Sequence, residues 1–236
     1  MKTFHLFVFS IFAFVLPACA QADEDILWQK FFTQIELSKT WVAATVDSSY
    51  TEEEKNWLSP SQFAKRAKLS KWANGEPVRT IENLPGAIPS SKTHVSSPIA
   101  NHPNLVLSGV TFHQREADQM IDGDTWAVYT LKLGTKKRPQ TAKVWLQPDS
   151  GKPMKMEFSF SASMEGTVLY QSNEAGISLP IRFVLEHEKP GMPKHWVIVF
   201  ENLEWISRPA TELVGLNNLY HVQLDSFQVQ NAGRSK

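Results

Sequence analysis

The sequence predicts an α+β fold: a curved antiparallel sheet, or half-barrel, with N-terminal helices packed against it. Three observations predict this. Residues 105–230 hold successive short apolar runs separated by Gly, Pro, Asp or Asn, which is the spacing of antiparallel strands rather than βαβ units. Residues 23–74 instead place apolar positions at helical spacing behind helix-start signals. Several strand runs are apolar on both faces, so their sheet needs cover on both sides. Helices can supply one layer, and the sheet curling on itself the other.

The helical part begins with Leu27, Trp28, Phe31, Phe32, Ile35 and Trp41, preceded by Asp23, Glu24 and Asp25. Carboxylates there suit the orphan amides and dipole of a first turn, so a helix is expected from Asp23 toward Val46. A second helical piece is expected after Thr51, whose hydroxyl pairs with Glu54 in capping-box spacing. A third follows Ser59-Pro60, runs through Phe63, Ala67 and Leu69 to Trp72, and stops at Asn74-Gly75. From 75 to 104 the chain carries Pro77, Pro85, Pro89, Pro98 and Pro103, a density that predicts a surface strap without regular structure. Strands are expected at 105–113, 125–133, 141–147, 153–161, 166–171, 179–187, 195–206 and 219–230. Two turns share a pattern, with Gly151 ahead of Pro153 and Gly176 ahead of Pro180, each just before an alternating strand.

Residues 1–20, MKTFHLFVFSIFAFVLPACA, have a charged start, an apolar run too short to span a bilayer and an A-x-A end. Cleavage after Ala20 is expected, leaving residues 21–236 as a single periplasmic domain with no transmembrane segment. The alternative is a lipobox at Leu16–Cys19, which would anchor the protein through a lipidated Cys19. Pro17 suits that box poorly. Cys19 is the one cysteine, so the mature chain would have no disulfide and no thiol chemistry. No Asn-x-Ser/Thr sequon is present, and the periplasm fits better than a eukaryotic secretory route. With Lys2 removed, 23 basic residues face 24 acidic ones, leaving no basic field to attract nucleic acid.

The richest polar stretch runs from His113 through Arg115, Glu116 and Asp118 to Asp122-Gly123-Asp124. It lacks both zincin and EF-hand spacing and reads as a hairpin loop with an Asp-Gly turn joining strands 105–113 and 125–133. His187 and His195 flank a second turn, and without a third ligand they make a weak metal site. There is no nucleophile elbow, phosphate loop or CxxC. No catalytic residue, metal or cofactor is expected.

The stretch Met154-Lys155-Met156-Glu157-Phe158-Ser159-Phe160-Ser161 alternates strictly, so Met154, Met156, Phe158 and Phe160 share one strand face. That face either closes an ordinary core or walls a hollow for an apolar ligand. The two methionines favour the hollow, because thioether side chains re-pack around varied apolar surfaces.

Ahead of this strand, Trp145-Leu146-Gln147-Pro148-Asp149-Ser150-Gly151-Lys152-Pro153 resembles the Trp-Leu-Asp-x-x-x-Gly-x-Pro hairpin of the outer-membrane lipoprotein carrier superfamily (LolA/LolB-like, including the stress sensor RseB). Gly176-Ile177-Ser178-Leu179-Pro180 is similar to that family's later Gly-x-x-Leu-Pro turn. The likeness spans about residues 105–206. It implies an unclosed, strongly curved barrel whose helices form a lid over a hydrophobic cavity that receives acyl chains. The family's early Arg-Pro-x-x-Phe-x-Trp hairpin is missing, and no functional residue carries over. The expected function is therefore non-enzymatic: binding of a lipid, lipoprotein or other hydrophobic ligand on the concave face, at Met154, Met156, Phe158 and Phe160. The alternative is a module on the same scaffold, with a filled core, that senses or escorts an envelope protein partner.

Overall fold

The computed structural model describes residues 25–54, 61–73, 75–85, 107, 110–135, 138–161, 164–188 and 194–209. Among them a helix, α1 (Ile26–Ser38), precedes β1 (Trp41–Glu54), β2 (Ser61–Ala73), β3 (Glu76–Asn83), β4 (Val110–Arg115), β5 (Gln119–Ile121) and β6 (Asp124–Thr135). Then follow β7 (Arg138–Leu146), β8 (Pro153–Ser161), β9 (Met164–Ser172), β10 (Ser178–Glu188) and β11 (Lys194–Ser207). The strands form a sheet in the order β3-β2-β1-β11-β10-β9-β8-β7-β6-β4, with β5 paired to β6 off this path. Pairing is antiparallel throughout the described strands, and β3 and β4 do not meet, so this is an unclosed curved sheet. The connection from β3 to β4 runs between opposite ends of the sheet. Of its latter part Leu107 is described, 4% exposed within the main core.

From β6 to β11 the strands follow the expected positions, and β8 coincides with 153–161. Expected strand 219–230, the signal sequence and most of the proline-rich strap lie outside the described residues.

The N-terminal half needs correction. Among the described residues only the first of the three expected helices is present, and it is shorter, Ile26–Ser38. Asp25 is its N-cap, its carboxylate accepting the Trp28 amide at 3.1 Å. Trp41–Val46 begins a strand rather than extending the helix, because β1 lies between β2 and β11. Val42, Ala43 and Ala44 are buried in succession, so no amphipathic period marks the strand. The expected second helix is replaced by the end of β1 where it is described, at 51–54, and the third by β2. Cross-strand pairing outweighs the local capping signal there. Asp47 and Arg66, partners in the β1–β2 register, form a two-pronged ion pair with both contacts at 2.7 Å. The strap is also shorter than expected, since β3 takes up 76–83. Pro77 is tolerated because β3 is the end strand of the described sheet.

Helix α1 lies on the concave face, packs there by its apolar stripe and is tethered by hydrogen bonds at three places. Its apolar stripe, Leu27, Trp28, Phe31 and Ile35, joins strand residues Tyr129, Leu131, Val144, Met156, Phe183 and Phe200 in one cluster. Fully burying a side chain of this kind contributes about 1.5–3 kcal/mol. At its start, Tyr129 of β6 donates its hydroxyl to Asp25, 2.7–2.8 Å from the two carboxylate oxygens. Midway, the β7–β8 turn closes on the helix: Lys30 donates to the Asp149 carbonyl at 2.7 Å. Further along, the β9–β10 turn donates the Ser178 amide to Gln34 at 3.3 Å.

The two Gly-then-Pro turns of the sequence are therefore the two turns that hold the helix. Gly151 has φ 69°, and a β-carbon there would lie 2.7 Å from both Lys30 Cβ and the Phe31 backbone nitrogen. Gly123 has φ 90° but nothing within 4 Å of a β-carbon. Gly151→Ala is thus expected to combine left-handed strain with a backbone clash and to cost about 2–4 kcal/mol in urea unfolding. Gly123→Ala should cost only about 1 kcal/mol. Equal losses at the two positions would mean that α1 does not press on the turn.

Candidate binding face on the concave side

Strand β8 sets out the expected site. Met156 faces Val144 on β7 and Val168 on β9, and Phe158 faces Ala142 and Gly166. Met156 is 0% exposed and Phe158 4%, both inside the cluster under α1. Met154 departs from the strict alternation. Trp145 pairs with Lys155 and Leu146 with Pro153, so Met154 is skipped by a bulge and is only half-buried. The side chain of Phe160 lies outside the described residues. Two of the four expected residues are thus brought together, and their surroundings are closed core.

Gly166 makes that closure possible. A β-carbon there would collide with the Phe158 ring, which lies over the glycine. With no side chain between them, Phe158 on β8 reaches Phe183 on β10 with ring centroids 5.6 Å apart. Phe183 then stacks on Phe200 of β11 at 5.8 Å. Three rings form a continuous ladder over four strands, each such pair adding about 0.5–1.5 kcal/mol beyond its buried area.

The next row along the same face is less enclosed. Met164, His187 and Trp196 are cross-strand neighbours on β9, β10 and β11, and all are half-buried. His187 stacks on Trp196 at 5.0 Å with the planes 4° apart. Tyr50 lies 6.4 Å from Trp196 and opposite Ile198. Met164, Trp196 and Ile198 pack against the main cluster. His187 Nδ1 is buried without a hydrogen-bond partner. The sequence pattern had already put Trp196, Ile198 and Phe200 on one face. It could not show that His187 and Met164 stand beside them, because that depends on register across three strands.

The polar stretches have structural roles. His113 stacks on Trp28 of α1 at 4.3 Å, Arg115 pairs with Asp118 at 3.0 Å, and Glu116 takes the Thr130 hydroxyl and Lys143. Those last two contacts hold the Glu116 carboxyl below the usual range. Asp122 and Gly123, with φ 54° and 90°, form the turn between β5 and β6, so the hairpin joins a short extra strand rather than β4 to β6 directly. His195 pairs with Glu188 and points away from the face that holds His187. Among the described residues no three His, Cys, Asp or Glu are placed to hold a metal ion, and no helix is long and apolar enough to cross a membrane.

No family profile and no curated protein matches the chain. Solved structures do resemble it in outline. One is a domain from Vibrio parahaemolyticus named for outer membrane lipoprotein sorting, at 12% identity, with 83% of this chain and 97% of that one covered and a TM-score of 0.43. A DUF1329 family protein from Desulfovibrio piger has 9% identity, 82% and 96% coverage and a TM-score of 0.37. The Mycobacterium tuberculosis lipoprotein LppX has 13% identity, 79% and 98% coverage and a TM-score of 0.26. At these TM-scores the description of the fold rests on the strand order and register given above.

Tyr129 and Met156 provide two tests. Burial, and then the Asp25 carboxylate, push the Tyr129 phenol above its ordinary range. A raised pKa means stability that is complete below about pH 10 and lost as pH rises through the folded-state value. The phenolate absorbance that disappears in Tyr129→Phe should therefore appear at higher pH than that of a free tyrosine. At neutral pH the variant should lose about 1.5–3 kcal/mol, the range for a hydrogen bond to a charged group. Met156→Glu places a carboxylate in closed core, and circular dichroism should show a chain that is unfolded or weakened by several kcal/mol. A stable, fully folded Met156→Glu protein would mean that the wall is open.

Proposed function

We propose that the protein is a non-catalytic binding protein of the bacterial periplasm whose ligand is a lipid, lipoprotein or other hydrophobic group. It takes that ligand on the concave face beside α1. The observation that carries the reading is the half-buried row of Met164, His187 and Trp196, with Tyr50 and Ile198 alongside, continuing the closed core outward. An apolar and aromatic surface of this kind, next to a rigid floor, suits a ligand with more hydrocarbon than charge. Met156 and Phe158 would then be the floor of the site rather than its wall. Met154 and Phe160 stay in the proposal as the residues that flank Met156 and Phe158 along β8. Cleavage after Ala20 and export to the periplasm belong to the same reading.

A second reading has its own observation. The space under α1 is filled by the protein's own side chains, with Phe31 1% and Met156 0% exposed, as in a scaffold that presents surfaces to an envelope protein partner.

The test uses protein purified from periplasm. Native mass spectrometry with organic extraction should find a co-purifying lipid. A solvatochromic apolar probe should bind the delipidated protein, and Trp196→Ala should weaken that binding about tenfold or more while folding survives. Absence of both lipid and probe binding would remove the first reading and leave the second.

A further inference from the structure

The sheet has a second feature, on the face opposite α1. Met156 and Val144 point toward the helix, so their neighbours Glu157 and Lys143 point away from it. On that outer face Thr130, Lys143, Glu157 and Thr167 stand side by side across β6, β7, β8 and β9. Ser159 and Glu165 form part of the next row. These side chains line a depression of about 480 Å³ bounded on one side by Trp145. Its size lies within the roughly 300–1,000 Å³ of small-ligand sites, yet its lining is mostly polar, unlike the apolar walls usual in such sites.

We propose that this depression binds a neutral saccharide. The lining argues against the other ligand classes in turn. Thr, Ser, Glu and Lys make up most of the lining, and Trp145, Ala142 and Phe158 give too little apolar wall for a lipid. The lysines are neutralised, Lys143 by Glu116 at 2.9 Å and Lys155 by Glu157 at 2.8 Å, which leaves no net positive charge for a phosphate. The carboxylates do not converge as metal ligands among the described residues. What the floor does present is a row of hydroxyl, ammonium, carboxylate and hydroxyl groups from Thr130, Lys143, Glu157 and Thr167, at the strand spacing of about 4.8 Å. Hydroxyls both donate and accept, and carboxylates accept at two oxygens, which matches the adjacent hydroxyls of a sugar ring. Trp145 adds a flat apolar side. Its indole nitrogen donates to Gln119 at 2.9 Å, and Lys155 lies 4.2 Å above its ring. Movement of that lysine would bare an aromatic surface for the C–H face of a sugar.

The inference is independent of the concave-face reading, and so is its test. Two neutral probes, maltotetraose and the tetramer of β-1,4-linked N-acetylglucosamine, are titrated into the ¹⁵N-labelled full chain to about 10 mM, the range of weak surface recognition. At least one should shift the amide signals of Thr130, Glu157 and Thr167 and leave those of Leu185 and Phe200, on the other face, in place. Thr167→Val keeps the side-chain shape and suits a strand, so it should fold normally and bind about fivefold to tenfold more weakly. Glu165→Gln should change affinity while the fold is unchanged by near-ultraviolet circular dichroism. No shift with either saccharide, shifts confined to the concave face, or undiminished binding by Thr167→Val would each overturn the proposal. So would a charged hexapeptide that perturbs the same signals more strongly than either sugar.

Discussion

A helix of thirteen residues, about 20 Å long, lies across the concave side of the sheet, and its backbone comes close enough to Gly151 that no β-carbon fits between them. Much else follows from that approach. The turn needs φ 69° at Gly151, which glycine adopts without steric cost, and Pro153 then starts β8 without a donor that the turn would leave unpaired. Lys30 and Gln34 reach out to the β7–β8 and β9–β10 turns, while Asp25 serves both the helix end and the buried Tyr129. One carboxylate thus satisfies a helix amide and a phenol that would be costly to bury alone. The turns that bear the family-like motifs are the ones that hold the helix down.

The sheet separates its two faces by chemistry. Toward α1 the face is closed by Met156, Phe158 and the three-ring ladder over Gly166, and it is less enclosed at the row of Met164, His187 and Trp196. Away from α1 the strands carry hydroxyls and compensated charges around Trp145. The alternation of strand side chains produces both surfaces from the same residues, so a change of one position in register would exchange them. The bulge at Met154 shows the scale of such a shift, since one extra residue breaks the row within β8.

Elements marked by short-range signals, apolar runs between turn residues and one apolar helical stripe, were legible from the amino-acid order alone. From β6 to β11 apolar runs punctuated by turn residues located the strands, with strict alternation in β8, and the stripe of Leu27, Trp28, Phe31 and Ile35 located α1. The Asp122-Gly123 turn was legible for the same local reason. Tertiary structure alone decided the rest. Strands β1 and β2 were hidden because their stretches carry helix-start signals, at Thr51–Glu54 and at Ser59-Pro60, and those signals yielded to pairing of β1 with β11 and of β2 with β3. Likewise the face shared by Met156 and Phe158 was readable from spacing, but whether it was wall or floor was not. That depended on α1 arriving from more than a hundred residues away, and on Gly166 leaving room for Phe158 to reach Phe183. Alternation fixes which side a residue faces; only the packing of distant segments decides what it meets there.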